Sequence, residues 1–171
     1  MTLDALRPFL AACLIAVSAM ATGAGFGVAF GAFEDDMKGG LKHSADAVLA
    51  TTYGGDEARA KAVVDKSWVY YKRAHLHAGA LGTQALVLTL LLSVLTTVSL
   101  RLRQVAAVSS SVGAIGYGWF WYLAGRAAPG LGSTGAAKEA FAWLAQPSAL
   151  LLVLGIALAI VAVVLSILQK R

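Results

Sequence analysis

The sequence predicts an all-α integral membrane protein, a four-transmembrane-helix bundle with a helical extramembrane segment between its first and second spans. Three observations predict this. Of the 171 residues, 58% are hydrophobic, and the mean hydropathy is +0.72. The apolar residues concentrate in four runs, near residues 9–33, 74–100, 105–125 and 148–168. Each run has about 20 residues or more, enough to cross a hydrocarbon core of about 30 Å. A segment inside a bilayer must satisfy its own backbone hydrogen bonds, so the runs read as helices. Residues 1–171 read as one four-helix membrane domain.

The first run, 9–33, reads as a retained helix. "LAAC" at residues 10–13 looks like a lipoprotein cleavage box, but the apolar stretch follows the cysteine instead of preceding it. "VSAMA" offers an ordinary cleavage site, yet the apolar run continues well beyond it. Ala19, Gly23, Gly27 and Gly31 recur at four-residue intervals and form a ridge that lets another backbone approach. The ridge has two readings: tight packing, or a groove where a flat prosthetic group or a quinone tail meets bare backbone. Gly23, Gly27 and Gly31 are also the expected contact with other membrane subunits or a second copy of the chain. Cys13 is the only cysteine. It excludes an internal disulfide, a dithiol redox relay and a cysteine-held metal cluster.

Residues 34–73 form the main extramembrane segment. Seven acids there balance seven Lys and Arg. "GGLKHSADAVLATTYGG" predicts a short helix stopped by Gly54 and Gly55. Asp56 then stands where it would cap a second helix, and no Gly or Pro follows before Gly79. The second span therefore starts near Asp56 and projects beyond the bilayer, unless this stretch lies on the surface. Trp68, Tyr70 and Tyr71 suit an interface in either case.

The third run offers Ser109, Gly113 and Gly116 on roughly one face. It ends in the aromatic cluster Tyr117, Trp119, Phe120, Trp121 and Tyr122, which reads as an interfacial belt or as a stacking surface for a quinone or porphyrin. "AAKEAFAWLA" predicts a short interfacial helix, and Pro147 falls near the first turn of the fourth span. The side of the termini holds Arg7, Arg101, Arg103, Lys170 and Arg171 against Asp4 alone. Raw counting of Lys and Arg favours the opposite orientation, but the density of charge in the short "RLRQ" loop and the "QKR" tail favours both termini in the cytoplasm; the membrane is read as a bacterial inner membrane. The net charge of +5 is scattered. It suits anchors beside a lipid bilayer and forms no nucleic-acid patch.

The chemistry-bearing stretch is "YYKRAHLHAGALGTQ". At 100° per residue His75 shares a face with Gly79, Gly82, Leu86, Ser93 and Thr97. His77 points roughly opposite, with Leu81, Gln84, Leu88 and Leu95. A regular helix cannot aim both rings at one centre. Ionisable groups in a span are functional candidates. Here that makes His75, His77, Gly79, Gly82 and Gln84 candidates for cofactor binding, and His75, His77 and His43 candidates for metal binding. Haem b is the leading cofactor, with an imidazole as axial ligand. The second ligand would come from His43, Met20, Met37 or a partner subunit. Copper held by His43, Met37 and the pair is another reading. Paired interfacial histidines with no ligand is the plain alternative.

"RAHLHAGALG", followed by a leucine-rich run, resembles the H-x-H-x(4)-G helix start of small respiratory-associated membrane proteins and the haem-copper-oxidase-like NnrS group. The resemblance rests on His75, His77 and Gly82. It implies an accessory or electron-transfer subunit of a membrane redox complex, binding haem b or quinone. The same stretch is similar to the R-A-H-x-N-x-x-E element of the MAPEG family of four-helix glutathione-handling enzymes. Arg73, Ala74 and His75 match, while His77 and Ala80 stand where that family has Asn and Glu. That resemblance implies a small enzyme acting on lipophilic electrophiles, with Lys72, Arg73 and Gln84 nearest a glutathione site. A purely structural subunit needs none of these residues as ligands.

Overall fold

A computed structural model describes residues 3–169 and is helical throughout, with no strand among them. A short α1 (Leu3–Leu6) and a 3-10 turn (Arg7–Phe9) lead into α2 (Leu10–Ala32). The next helices are α3 (Glu34–Asp46), α4 (Leu49–Thr52), α5 (Glu57–Val94), α6 (Leu100–Ala127), α7 (Thr134–Ala140) and α8 (Ala142–Leu168). Three stretches are long and apolar enough to cross a membrane: Asp4–Ala32, Glu57–Val94 and Ala142–Leu168. The expected third span lies inside α6, which is long enough at 28 residues but is not among those three. Its Ser109–Ser111 run and Arg101 and Arg103 lower its apolarity. The three serines and Arg103 are buried where α6 packs against α2, α5 and α8, whereas Arg101 is exposed.

Local chemistry explains the helix boundaries. The Asp56 side chain accepts from the Arg59 N–H at 2.9 Å and caps α5, as the sequence predicts. Gly54 and Gly55 sit at φ +63° and +81°, a backbone region that glycine enters without steric cost. The acids Glu34, Asp35 and Asp36 fill the first turn of α3, where the helix dipole favours negative charge.

Several expected boundaries need correction. The second span stops at Val94, not near residue 100. "RLRQ" is not a loop; Arg101 and Arg103 lie at the start of α6, and residues 95–99 make the connection. The expected helix "AAKEAFAWLA" breaks at Phe141, and Pro147 falls inside α8 instead of in its first turn. Lys170 and Arg171 lie outside the described residues.

Glycines set the register of an up-down-up-down bundle. A Cβ on Gly23 of α2 would stand 2.5 Å from the Gly79 nitrogen of α5, and one on Gly82 would stand 2.8 Å from the Met20 nitrogen. A Cβ on Gly118 of α6 would stand 2.8 Å from the Ala78 Cβ. One on Gly113 would stand 2.5 Å from the Leu152 nitrogen, and one on Gly155 would stand 2.5 Å from the Ser110 nitrogen. Each pairing runs antiparallel, and each relies on a missing side chain for close backbone approach. At the end bearing the N-terminus, buried Arg103 donates from Nε to Val98 O at 3.0 Å and from Nη1 to Leu92 O at 3.0 Å. It satisfies carbonyls at the C-terminal end of α5, where a cation also suits the dipole.

At the opposite end, α3, α4, the first turns of α5 and α7 form a head. Leu41 packs with Phe30 and Tyr71, and Ala45 packs with Tyr53 and Ala60. An open groove of about 1180 Å³ runs along the outer side of α3 and α5, with Lys38, Lys42, Lys61 and Lys72 on its walls.

Candidate functional site at the histidine pair

His75 and His77 project from α5 toward different neighbours. The Nδ1 of His75 lies 2.7 Å from the Gly23 carbonyl oxygen on α2. A carbonyl only accepts, so Nδ1 carries a proton and donates. The ring rests where Gly27 has no side chain, since a Cβ there would stand 2.8 Å from His75 Cε1. Phe30 meets the ring edge-on at 6.2 Å between centroids. Gly79 and Gly82 continue the same seam against Gly23 and against Ala16, Ala19 and Met20. The glycine face beside His75 is thus filled by α2 backbone. Gly31, the last member of the ridge, has nothing within 4 Å of a Cβ.

His77 faces α6. Its ring lies 5.3 Å from that of Tyr117 and 6.1 Å from that of Trp121, nearly parallel to the latter. Gln84 is exposed on the outer surface of α5. His43 is exposed on α3 in the head, and Met37 packs beside Phe30, Leu41 and Tyr71. Among the described residues no group of three or more His, Cys, Asp or Glu side chains is placed to hold a metal ion.

The aromatic residues do not form an outward belt. Tyr70, Tyr71, Phe120 and Trp121 are buried, whereas Trp119 is 40% and Trp143 67% exposed. Two interior clusters flank α5. In one, Phe26, Phe30, Tyr71 and Tyr122 close a circuit of near-parallel rings, with centroids 4.9 Å apart for Phe26 and Tyr122 and 5.1 Å apart for Tyr71 and Tyr122. In the other, Trp121 is surrounded by Tyr70, His77, Tyr117 and Phe120, with the Arg73 guanidinium 4.8 Å from its ring centre. The rings turn inward because Gly118 and Gly125 bring α6 close to α5. A Cβ on Gly125 would meet Tyr71 and Tyr70 at 2.9 and 3.0 Å.

Sequence reasoning singled out His77 but missed its partners Arg73, Tyr117 and Trp121 as a group. Antiparallel pairing of Ala78 with Gly118 places them at one height. The four-residue spacing puts Arg73 and His77 on one side of α5, but spacing within one helix carries no signal of their meeting with Tyr117 and Trp121. The chain matches no known protein-family model, no curated protein and no solved structure.

Proposed function

We propose that the chain is a four-span membrane protein acting as a structural or accessory subunit, with its histidine pair serving helix packing. One observation carries this reading: His75 donates to the Gly23 carbonyl and fills the space over Gly27. A group so placed joins α2 to α5 before it does anything else. α6 is the fourth span in this reading. Its pairings with α5 at Ala78–Gly118 and with α8 at Ser110–Gly155 support a shared thickness. The bilayer is a bacterial inner membrane, with both termini cytoplasmic and the head on the other side. A reporter active only in the periplasm, fused after Arg171, is silent in this topology; activity there inverts it.

The experiment for function is purification with native partners, followed by a reduced-minus-oxidised spectrum and a quinone assay of the extract. Packing alone gives no haem band, no quinone and a His75→Ala protein of lower thermal stability. A haem band that disappears in His75→Ala sinks the packing reading.

A second reading has its own support. It makes the chain an accessory or electron-transfer subunit of a redox complex, with haem b or quinone near His75. Donation from Nδ1 to the Gly23 carbonyl is the kind of contact by which a ligating imidazole is oriented through its other nitrogen. The same spectrum decides between the two.

A further inference from the structure

The Trp121 cluster gathers hydrogen-bond donors and offers them no anion. Arg73 and His77, four residues apart, share one side of α5, and both lie over the Trp121 ring. The other face of the Arg73 environment is also aromatic, with Tyr70 at 5.5 Å. Among the described residues Arg73 forms no ion pair. The sequence explains why: no Asp or Glu occurs from Lys66 to Lys138. Trp121 is 8% exposed, and its indole N–H is buried without a hydrogen-bond partner. A buried donor left unpaired is costly and uncommon in native proteins. Tyr117, half-buried at the edge of the cluster, adds a hydroxyl.

These groups stand at one level of the bundle. Arg73 immediately precedes the apolar part of α5, and Trp121 lies opposite it on α6, between the Ala78–Gly118 and Tyr71–Gly125 contacts. In a membrane this is the headgroup level, where a phosphate is the most abundant acceptor. A guanidinium over an aromatic face, with an N–H donor beside it, suits an oxyanion better than it suits a neutral carbonyl.

We propose that Arg73, His77, Tyr117 and Trp121 form a binding site for the phosphate of an anionic phospholipid. The lipid sits against the α5–α6 seam. Arg73 supplies the charge, and the Trp121 ring supplies the aromatic surface on which the guanidinium rests. This inference rests on the membrane-spanning reading above and goes beyond it.

The test uses the full chain in nanodiscs. Failure to enter discs at all speaks against the membrane reading. Once the protein is incorporated, the discs address the lipid site alone. Thermal unfolding is compared in phosphatidylcholine discs with and without phosphatidylglycerol, and native mass spectrometry counts retained lipid. Wild type is expected to melt higher with phosphatidylglycerol and to retain it preferentially. Arg73→Gln loses the preference, with retention weakened about tenfold, the scale of one charge-assisted hydrogen bond. Trp121→Phe leaves a smaller aromatic ring without the N–H beneath Arg73 and weakens retention in the same direction. Lys72→Gln, a neighbouring exposed cation, keeps the preference. Equal loss in Lys72→Gln and Arg73→Gln would reduce the effect to general charge and overturn the site. Undiminished retention by folded Arg73→Gln would overturn it too. So would a stabilisation by inorganic phosphate in phosphatidylcholine discs that phosphatidylglycerol does not reproduce.

Discussion

The Tyr53 hydroxyl donates to the Pro129 carbonyl oxygen at 2.7 Å. These residues are far apart in sequence, one between α4 and α5 and the other between α6 and α7, so the bond ties the two connections into one head. Tyr53 is buried, which raises the consequence of losing its partner. Tyr53→Phe should cost about 1 kcal/mol locally. Faster hydrogen exchange in residues 49–56 and 128–133 would register it; unchanged exchange would place the hold elsewhere.

The same contact predicts a pH dependence. Burial pushes the Tyr53 pKa up, and the nearby Arg59 charge offsets this in part. The folded pKa exceeds the unfolded value of about 10, so the folded head favours the protonated phenol. This contribution is fully present below pH of about 10 and is lost as pH rises through the folded value. Loop exchange rates in wild type should therefore rise in that alkaline window, whereas Tyr53→Phe should lack this component.

The α2 ridge contains two different kinds of glycine. Gly23→Ala places a Cβ against the Gly79 backbone and should destabilise the bundle by about 1–3 kcal/mol, the usual cost of overpacking. Gly31→Ala meets nothing and should be neutral or slightly stabilising, since alanine favours a helix. Denaturant titrations of the two variants in one detergent make the comparison. Equal effects would mean that α2 and α5 do not pair in this register.

His75 and Gly27 should be coupled. In wild type a Gly27→Ala methyl collides with the His75 ring. In a His75→Ala background that space is empty, so Gly27→Ala should cost far less. A double-mutant cycle should give a coupling of about 0.5–3 kcal/mol. Additive effects would remove the packing role assigned to His75.

Arg103 and Arg101 differ as sharply, although they are two residues apart. Arg103 is 7% exposed and holds carbonyls of Leu92, Ser93 and Val98. Arg103→Ala should cost about 1.5–3 kcal/mol or more, the range for hydrogen bonds to a charged group. Arg101 is exposed, and Arg101→Ala should stay within about 0.5 kcal/mol of wild type. Thermal unfolding of the two variants tests the contrast.

Local and periodic properties were legible in the sequence. Asp56 caps α5 because a carboxylate there reaches the Arg59 N–H within the same turn. Gly54 and Gly55 end the preceding segment because their positive φ suits glycine. The divergence of His75 from His77 follows from helical period alone, and the two rings do face different helices. Tertiary structure decided what each face meets. Gly23 and Gly31 share one spacing, yet only Gly23 meets α5 backbone. His77 lies on a face that reads as leucine-rich and opposite the glycine face, and it packs against Tyr117 and Trp121. Arg103 reads as a surface charge but turns inward to the end of α5. In each case the outcome depends on the register between antiparallel helices, which the spacing within one helix does not encode. That register comes from close backbone contacts between residues distant in the chain.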